Sequence, residues 1–214
     1  MRAIRVLLTL TMAMAMAWLT GCQPDDIDSR LANYEAPDPL VLRALTTPIA
    51  VPVVTLDGVD GEVASEALFR DHWTLLYVGY SYCPDVCPTE LGQLAQILPE
   101  LEQRLPDIDW QVVFFSVDPE RDTPARLAKY TAFFSDEFVT VSGSRQAIDT
   151  LTGAVKAGYR IEPHEPGDVT YSVAHGTSFR LIDPAGRMLA LLPGPHNPPA
   201  IVDALEDFLS EVKL

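Results

Sequence analysis

The apolar positions of the chain change period several times along its length, and each change marks an element. Trp73-Thr-Leu-Leu-Tyr-Val78 and Gln111-Val-Val-Phe-Phe-Ser-Val117 are short runs of β-branched and aromatic residues without polar alternation. Such runs suit strands covered on both faces, as in parallel sheets. Between them Leu91, Leu94, Ile97, Leu98 and Leu101 recur at helical spacing, which predicts a helix from Pro88 to about Arg104 with Pro99 placed to kink or break it. Strand, helix and strand together predict a right-handed crossover unit.

On either side of this unit the pattern is shorter in range. Ile49 to Leu56 reads as a strand, Asp57-Gly58 as a turn and Gly61 to Val63 as a return strand, so the domain is expected to open with a β-hairpin. Ser65 stands where it would cap a short helix from Glu66 to Phe69. Thr123-Pro124 is a cap followed by a first helical position, starting an amphipathic stretch to Phe134. A short strand is expected at Phe138 to Val141 and a helix at Ala147 to Ala157, closed by Gly158. Arg160 to Thr170, with Pro163, Pro166 and Gly167, is loop by composition. Tyr171 to His175, Ser178 to Asp183 and Met188 to Leu192 read as antiparallel strands joined by turns, and Ile201 to Val212 as a terminal helix with Val202, Leu205, Phe208 and Leu209 on one face. The sum is an α/β domain over residues 45–214, a mixed central sheet flanked by helices.

The amino-terminal end follows other rules. Arg2 and Arg5 precede an apolar run from Val6 to Leu19 that holds no acidic residue, so residues 1–21 read as an export signal outside the fold. The run ends in Leu19-Thr20-Gly21-Cys22, which is similar to the lipobox of bacterial lipoproteins, where the cysteine is acylated and becomes the new N-terminus. That resemblance implies lipid on Cys22 and a domain held at a bacterial membrane, facing the periplasm or the outer face. Residues 22–44 are acidic, contain Pro24, Pro37 and Pro39, and have few large apolar side chains, so they are expected to form an extended tether. Over the whole chain, 30 acidic against 15 basic residues give a net charge of −15 in 214 residues. This charge argues against nucleic acid as a partner and against an electrostatic hold on anionic lipid; it either simply keeps the protein in solution or also concentrates a cation or attracts a basic surface.

The candidate chemistry sits at Gly79-Tyr-Ser-Tyr-Cys83-Pro-Asp-Val-Cys87-Pro-Thr-Glu90, where the first buried strand gives way to the helix. Open α/β sheets place their sites at such strand ends. Pro84 pushes Cys83 away from helical dihedrals, and Pro88, suited to the first helical position, makes Cys87 the expected N-cap. Both sulfurs then lie near unpaired backbone N–H groups at the positive end of the helix dipole, which favours thiolate over thiol. Their spacing lets them meet as a disulfide or on one soft metal ion. A structural staple is the competing reading, although so short a loop gains little from cross-linking. A closed zinc site is disfavoured because it wants four ligands and an acylated Cys22 leaves no third free thiol. Asp118, at the end of the second strand, is either a weak ligand or cation-steering carboxylate beside the cysteines, or a solvated turn residue. Of the four histidines, only His175 lies in a β-type pattern where burial can fix a ring nitrogen.

Three quoted segments carry a family likeness: Tyr80-Ser-Tyr-Cys83-Pro-Asp-Val-Cys87-Pro-Thr, Ser116-Val-Asp118-Pro-Glu-Arg-Asp122-Thr-Pro and Val173-Ala-His175. Together they resemble the Sco/SenC family of copper-binding, thioredoxin-like proteins over the chain from Val51 to the end. The resemblance implies a thioredoxin-like fold and one copper ion held by Cys83, Cys87 and His175. It also implies a part in assembling the copper centre of cytochrome c oxidase, with the oxidase's copper-binding subunit or another periplasmic copper chaperone as partner. The alternative within the same likeness is a thiol–disulfide oxidoreductase, with Cys83 and Cys87 reducing the cysteines of the oxidase copper site. A thiol peroxidase is a weaker reading, for want of a matching peroxidatic motif. The sequence departs from many relatives at Gly176, where they carry Ser or Thr, which bears on any hydrogen bond to the neighbouring histidine.

Overall fold

The structure, a computed structural model, describes residues 27–212. The export signal and Cys22 lie outside the described residues. In chain order the first elements are α1 (Ile27–Asn33), β1 (Arg43–Ala50), β2 (Thr55–Gly58), β3 (Gly61–Ala64), α2 (Ser65–Phe69), β4 (Trp73–Gly79), α3 (Val86–Arg104) and β5 (Trp110–Ser116). They are followed by α4 (Pro124–Thr131), β6 (Val139–Ser142), α5 (Arg145–Ala154), β7 (Tyr159–Ile161), β8 (Val173–His175), β9 (Phe179–Ile182), β10 (Arg187–Leu192) and α6 (Pro198–Val212).

Eight strands form one mixed sheet in the order β1-β10-β9-β4-β5-β6-β2-β3. Its centre is the expected crossover: β4 and β5 run parallel in unbroken register, from Trp73 opposite Trp110 to Gly79 opposite Ser116. Both are buried on both faces because helices cover the sheet, which is why neither shows polar alternation. The apolar stripe of α3, from Leu91 to Leu101, is buried as its spacing predicts, and α3 packs on α6. Pro99 neither breaks nor ends α3. It lies on the exposed side, where a carbonyl left without a donor can turn to water. Thr123 caps α4 as expected, accepting from the Arg126 N–H, and Ser144 does the same for α5 toward Ala147. That helix ends at Ala154, and Lys156, not Gly158, takes the left-handed conformation beyond it with φ of 54°.

Several expectations are corrected. The opening strand from Ile49 to Leu56 is two strands on opposite sides of the sheet's centre: Ile49 lies in the edge strand β1 opposite Met188, whereas Leu56 lies in β2, between β6 and β3, opposite Val63. Between them the chain crosses through Pro52, which has no N–H to extend a ladder. The Ser65 hydroxyl fixes this crossing by donating to the Pro52 carbonyl at 2.7 Å and accepting from the Val54 N–H at 2.9 Å, so it does not cap α2. The hairpin itself exists as β2–β3, but it turns at Val59-Asp60, with Gly61 at φ +117°.

The strand expected at Tyr171 to His175 does not join β9 and β10. Its β8 pairs in a separate two-stranded ribbon with β7, which enters the stretch read as loop at Arg160, and Tyr159 stands opposite His175. Finally, residues 27–44 are folded rather than a tether. Ile27 and Leu31, one helical turn apart, are buried, and Leu42 is wholly buried. Tyr34 meets Phe208 of α6 edge-on at 5.0 Å and donates its hydroxyl to Asp207 at 2.9 Å. A low count of apolar residues does not preclude a helix when those present share one face.

If α1 belongs to the domain, Leu31→Ala should lower its stability by about 2 kcal/mol or more, the usual cost of emptying a buried leucine site. Chemical denaturation of the domain reads this directly. An unchanged midpoint would return the segment to the status of a tether.

Candidate metal centre

The loop between β4 and α3 brings the sulfurs to the carboxyl end of the sheet. The helix begins two residues earlier than the prolines suggest, at Val86 with Asp85 in the cap position, so Cys87 lies inside the first turn. No side chain of Asp85 caps that turn. The Cys83 sulfur takes the role instead, accepting the Cys87 N–H at 3.5 Å. Hydrogen bonds to the large sulfur atom are long, and the helix N-terminus rewards negative charge there. Both cysteines are free thiols, Cys83 slightly exposed and Cys87 not at all. Cys87 fits only because residue 79 is glycine: a β-carbon there would stand 2.7 Å from the Cys87 Sγ and 2.9 Å from the Phe114 ring.

His175 arrives from the other side on β8. Its Nδ1–H donates to the Gly176 carbonyl at 3.0 Å, and its Nε2 faces the Cys87 Sγ at 3.3 Å. A carbonyl can only accept, so this contact fixes the tautomer and leaves the Nε2 lone pair toward the sulfurs. The backbone oxygen of Gly176 thus provides the partner that a Ser or Thr side chain would have offered. The rings of Tyr80 and Tyr77 meet the imidazole edge-on, at 5.7 and 6.2 Å. One ligand atom each from Cys83, Cys87 and His175 lie within 4.8 Å of one another, a grouping suited to a metal ion. His72, His164 and His196 have other partners: Asp109, Glu120 and Glu90 respectively.

Asp118 is not in that grouping. Its carboxylate is fully buried and occupied, accepting from Arg121 Nε at 2.5 Å and from the Tyr171 hydroxyl at 2.5 Å. The same guanidinium donates to the carbonyls of Val169 and Tyr171, at 3.0 and 2.7 Å, and lies over the Tyr171 ring at 3.5 Å. Asp118 therefore acts on the approach to β8, and through it on His175, rather than on a cation. Asp122 performs the matching task for the cysteine loop: its carboxylate accepts from the Ser81 N–H at 2.8 Å, the Ser81 hydroxyl at 2.5 Å and the Ser116 hydroxyl at 2.6 Å. Sequence reasoning passed over Arg121, Asp122, Ser81 and Tyr171. The run Ser116-Val-Asp-Pro-Glu-Arg-Asp122 carried the only available signal, three acids and an arginine crowded at a buried strand end.

The sulfurs are electrostatically unequal. The Cys87 thiol, then His175 and the N–H groups of Asp85 and Cys87, hold Cys83 well below the ordinary thiol value of 9.0, against the burial that opposes them. Burial pushes Cys87 the other way, reinforced by the hydrogen bond and charge of Cys83. The pair therefore holds one proton, with a thiolate at the mouth of the site and a thiol behind it.

Comparison with known proteins agrees with this arrangement. The SCO1/SenC family model matches residues 52–210. The Bos taurus SCO2 homolog, mitochondrial, is 38% identical over 128 residues, which cover 59% of this chain and 47% of that protein. The chain thus spans about half the length of such curated relatives. Among solved structures, Arabidopsis thaliana ScoI with copper bound is 28% identical with a TM-score of 0.68, covering 76% of this chain and 98% of that one. BsSco, described as a Sco-family cytochrome c oxidase assembly protein with a disulfide switch, is 26% identical with a TM-score of 0.60, covering 80% and 97%. The fold is the thioredoxin-like fold of these proteins.

The unequal sulfurs predict a two-step titration of the metal-free, reduced protein. Ultraviolet thiolate absorbance from one sulfur should persist as the pH falls far below 9.0, and the second should not appear until the pH rises above that value. Cys83→Ser should erase the acid-side signal, whereas two thiols ionising together near 9.0 would contradict the shared proton.

Proposed function

The chain belongs to the SCO1/SenC family, and from that premise we propose that it carries copper to the assembling copper centre of cytochrome c oxidase, with Cys83, Cys87 and His175 as ligands. The observation that carries this reading is the convergence of two sulfurs and one imidazole nitrogen within 4.8 Å. Such a soft, low-coordinate set suits Cu(I), and with an added oxygen it can hold Cu(II). The cargo is taken up from the side where Cys83 and His175 are partly open, and loading displaces the proton of Cys87, since a ligating sulfur must be a thiolate. Likeness to the copper-bound ScoI supports the assignment of the metal. The partner on this reading is the oxidase's copper-binding subunit or another copper chaperone.

A second reading has its own observation in favour. A thiolate at the mouth with a protonated thiol behind it is the division of labour of a nucleophile and a resolving cysteine, as in a thiol–disulfide reductase. Resemblance to BsSco with its disulfide switch lends it weight. His175 separates the two, because disulfide exchange needs only the sulfurs. On the copper reading His175→Ala should weaken copper binding by at least roughly 10- to 100-fold, the scale seen when a ligand's supporting contacts are lost. The variant should fail to support oxidase assembly in cells while Cys83 and Cys87 still form and break their disulfide. Assembly that survives His175→Ala but not Cys83→Ser would replace the carrier with the reductase.

The same proposal places the domain at a bacterial membrane, on its periplasmic or outer face, through lipid on Cys22. Support comes from the Leu-Thr-Gly-Cys run at the end of the apolar signal. Because α1 begins at Ile27, the covalent distance from Cys22 to the folded body is at most roughly 18 Å. The domain would then work close to the bilayer. Cys22→Ser should move the mature protein out of the membrane fraction, and a cleaved, unacylated variant that stays there would remove the lipid anchor.

A further inference from the structure

Tyr77 is wholly buried, yet its hydroxyl finds no hydrogen-bond partner of standard geometry among the described residues. Buried polar atoms in native cores are nearly always paired, so an orphan hydroxyl calls for a reason. Its position supplies one. Residues 77 and 79 of β4 point to the same face of the sheet, and the space above Gly79 is filled by the Cys87 Sγ. The phenol therefore projects on the face where that sulfur lies, with its ring held between Phe179 at 5.6 Å, Phe114 at 5.9 Å and His175 at 6.2 Å.

The acidic groups around the hydroxyl are Cys87, Glu90 and Cys83. Glu90 is already engaged: its carboxylate meets His196 Nδ1 at 2.5 Å, while His196 Nε2 donates to the Leu192 carbonyl at 2.9 Å. The sulfurs remain, Cys87 first. We propose that Tyr77 is a positioning residue of the metal centre: its O–H donates to the Cys87 sulfur when that sulfur ligates the metal. A donor aimed at a ligating sulfur orients its lone pairs and withdraws charge from it, and so adds to affinity for the metal.

The inference rests on the copper-carrying reading, and the test keeps the two apart. Tyr77→Phe deletes only the hydroxyl, and Thr140→Val is the control, because its hydroxyl is also buried and unpaired but lies two strands away on β6, opposite Phe114. The reduced full chain is titrated with Cu(I) against a competing chelator and separately with Cd(II), whose thiolate charge-transfer band reports both sulfurs. Tyr77→Phe should weaken both ions roughly tenfold and shift the Cd(II) band, while the metal-free thermal midpoint holds or rises. Thr140→Val should leave affinity and band unchanged. Parental affinity and an unshifted band in Tyr77→Phe would overturn the role of Tyr77 and leave the copper reading standing. Equal losses in both variants would overturn it too, as a general softening of the core. A parent that binds neither ion would bring down the copper reading itself.

Discussion

Two buried carboxylates four positions apart, Asp118 and Asp122, hold the site together. Both belong to the turn that leaves β5, and each reaches a different segment: Asp122 takes three hydrogen bonds from Ser81 and Ser116, and Asp118 anchors the guanidinium that grips Val169 and Tyr171. Taking a carboxylate out of water is costly, and only full pairing offsets it. Hydrogen bonds to charged groups contribute about 1.5–3 kcal/mol each, so losing one partner leaves a buried charge exposed to the whole penalty. That asymmetry makes the two loops interdependent. The cysteine loop and the histidine arm share no strand, yet both are referred to one rigid point at the end of the central parallel pair.

This arrangement explains how a soft site stays open. The sulfur and imidazole ligands are kept in their converging positions by their supports: Gly176 fixes the far nitrogen of His175, the first turn of α3 fixes Cys83, and the missing side chain of Gly79 makes room for Cys87. Cys83 then carries the negative charge near solvent, and Cys87 holds the proton in the interior. One geometry therefore serves metal capture and thiol exchange alike, which is why the two functional readings share every residue except His175.

Much of the fold could be read in advance because its local signals are strong. The unalternating runs of β4 and β5 and the stripe of α3 predict the crossover unit, and Thr123-Pro124 announces α4. The cysteine pair, placed where a strand becomes a helix, marked the site, and a family resemblance named the distant histidine. The misses have local causes as well. Val51 to Val54 is apolar and extended in either arrangement, so nothing in it tells a continuous strand from a crossing between opposite sides of a sheet. Ile27 and Leu31 were too few to overturn an acidic, proline-bearing composition, although they lie on one helical face.

Sequence alone determined what depends on neighbours along the chain: the buried strand runs, the helix periods, the Thr123 cap, and the thiol chemistry that a helix N-terminus confers on nearby cysteines. Only the tertiary structure decided what depends on distance through space. It set His175 Nε2 3.3 Å from a sulfur 88 positions earlier, gave Asp118 to Arg121 rather than to a cation, and seated α1 against the terminal helix. The physical reason is that a carboxylate, an imidazole or a pair of apolar side chains has no fixed role of its own. Its role is set by which desolvated partner the fold brings within hydrogen-bond or packing range, and that pairing is written in no local pattern.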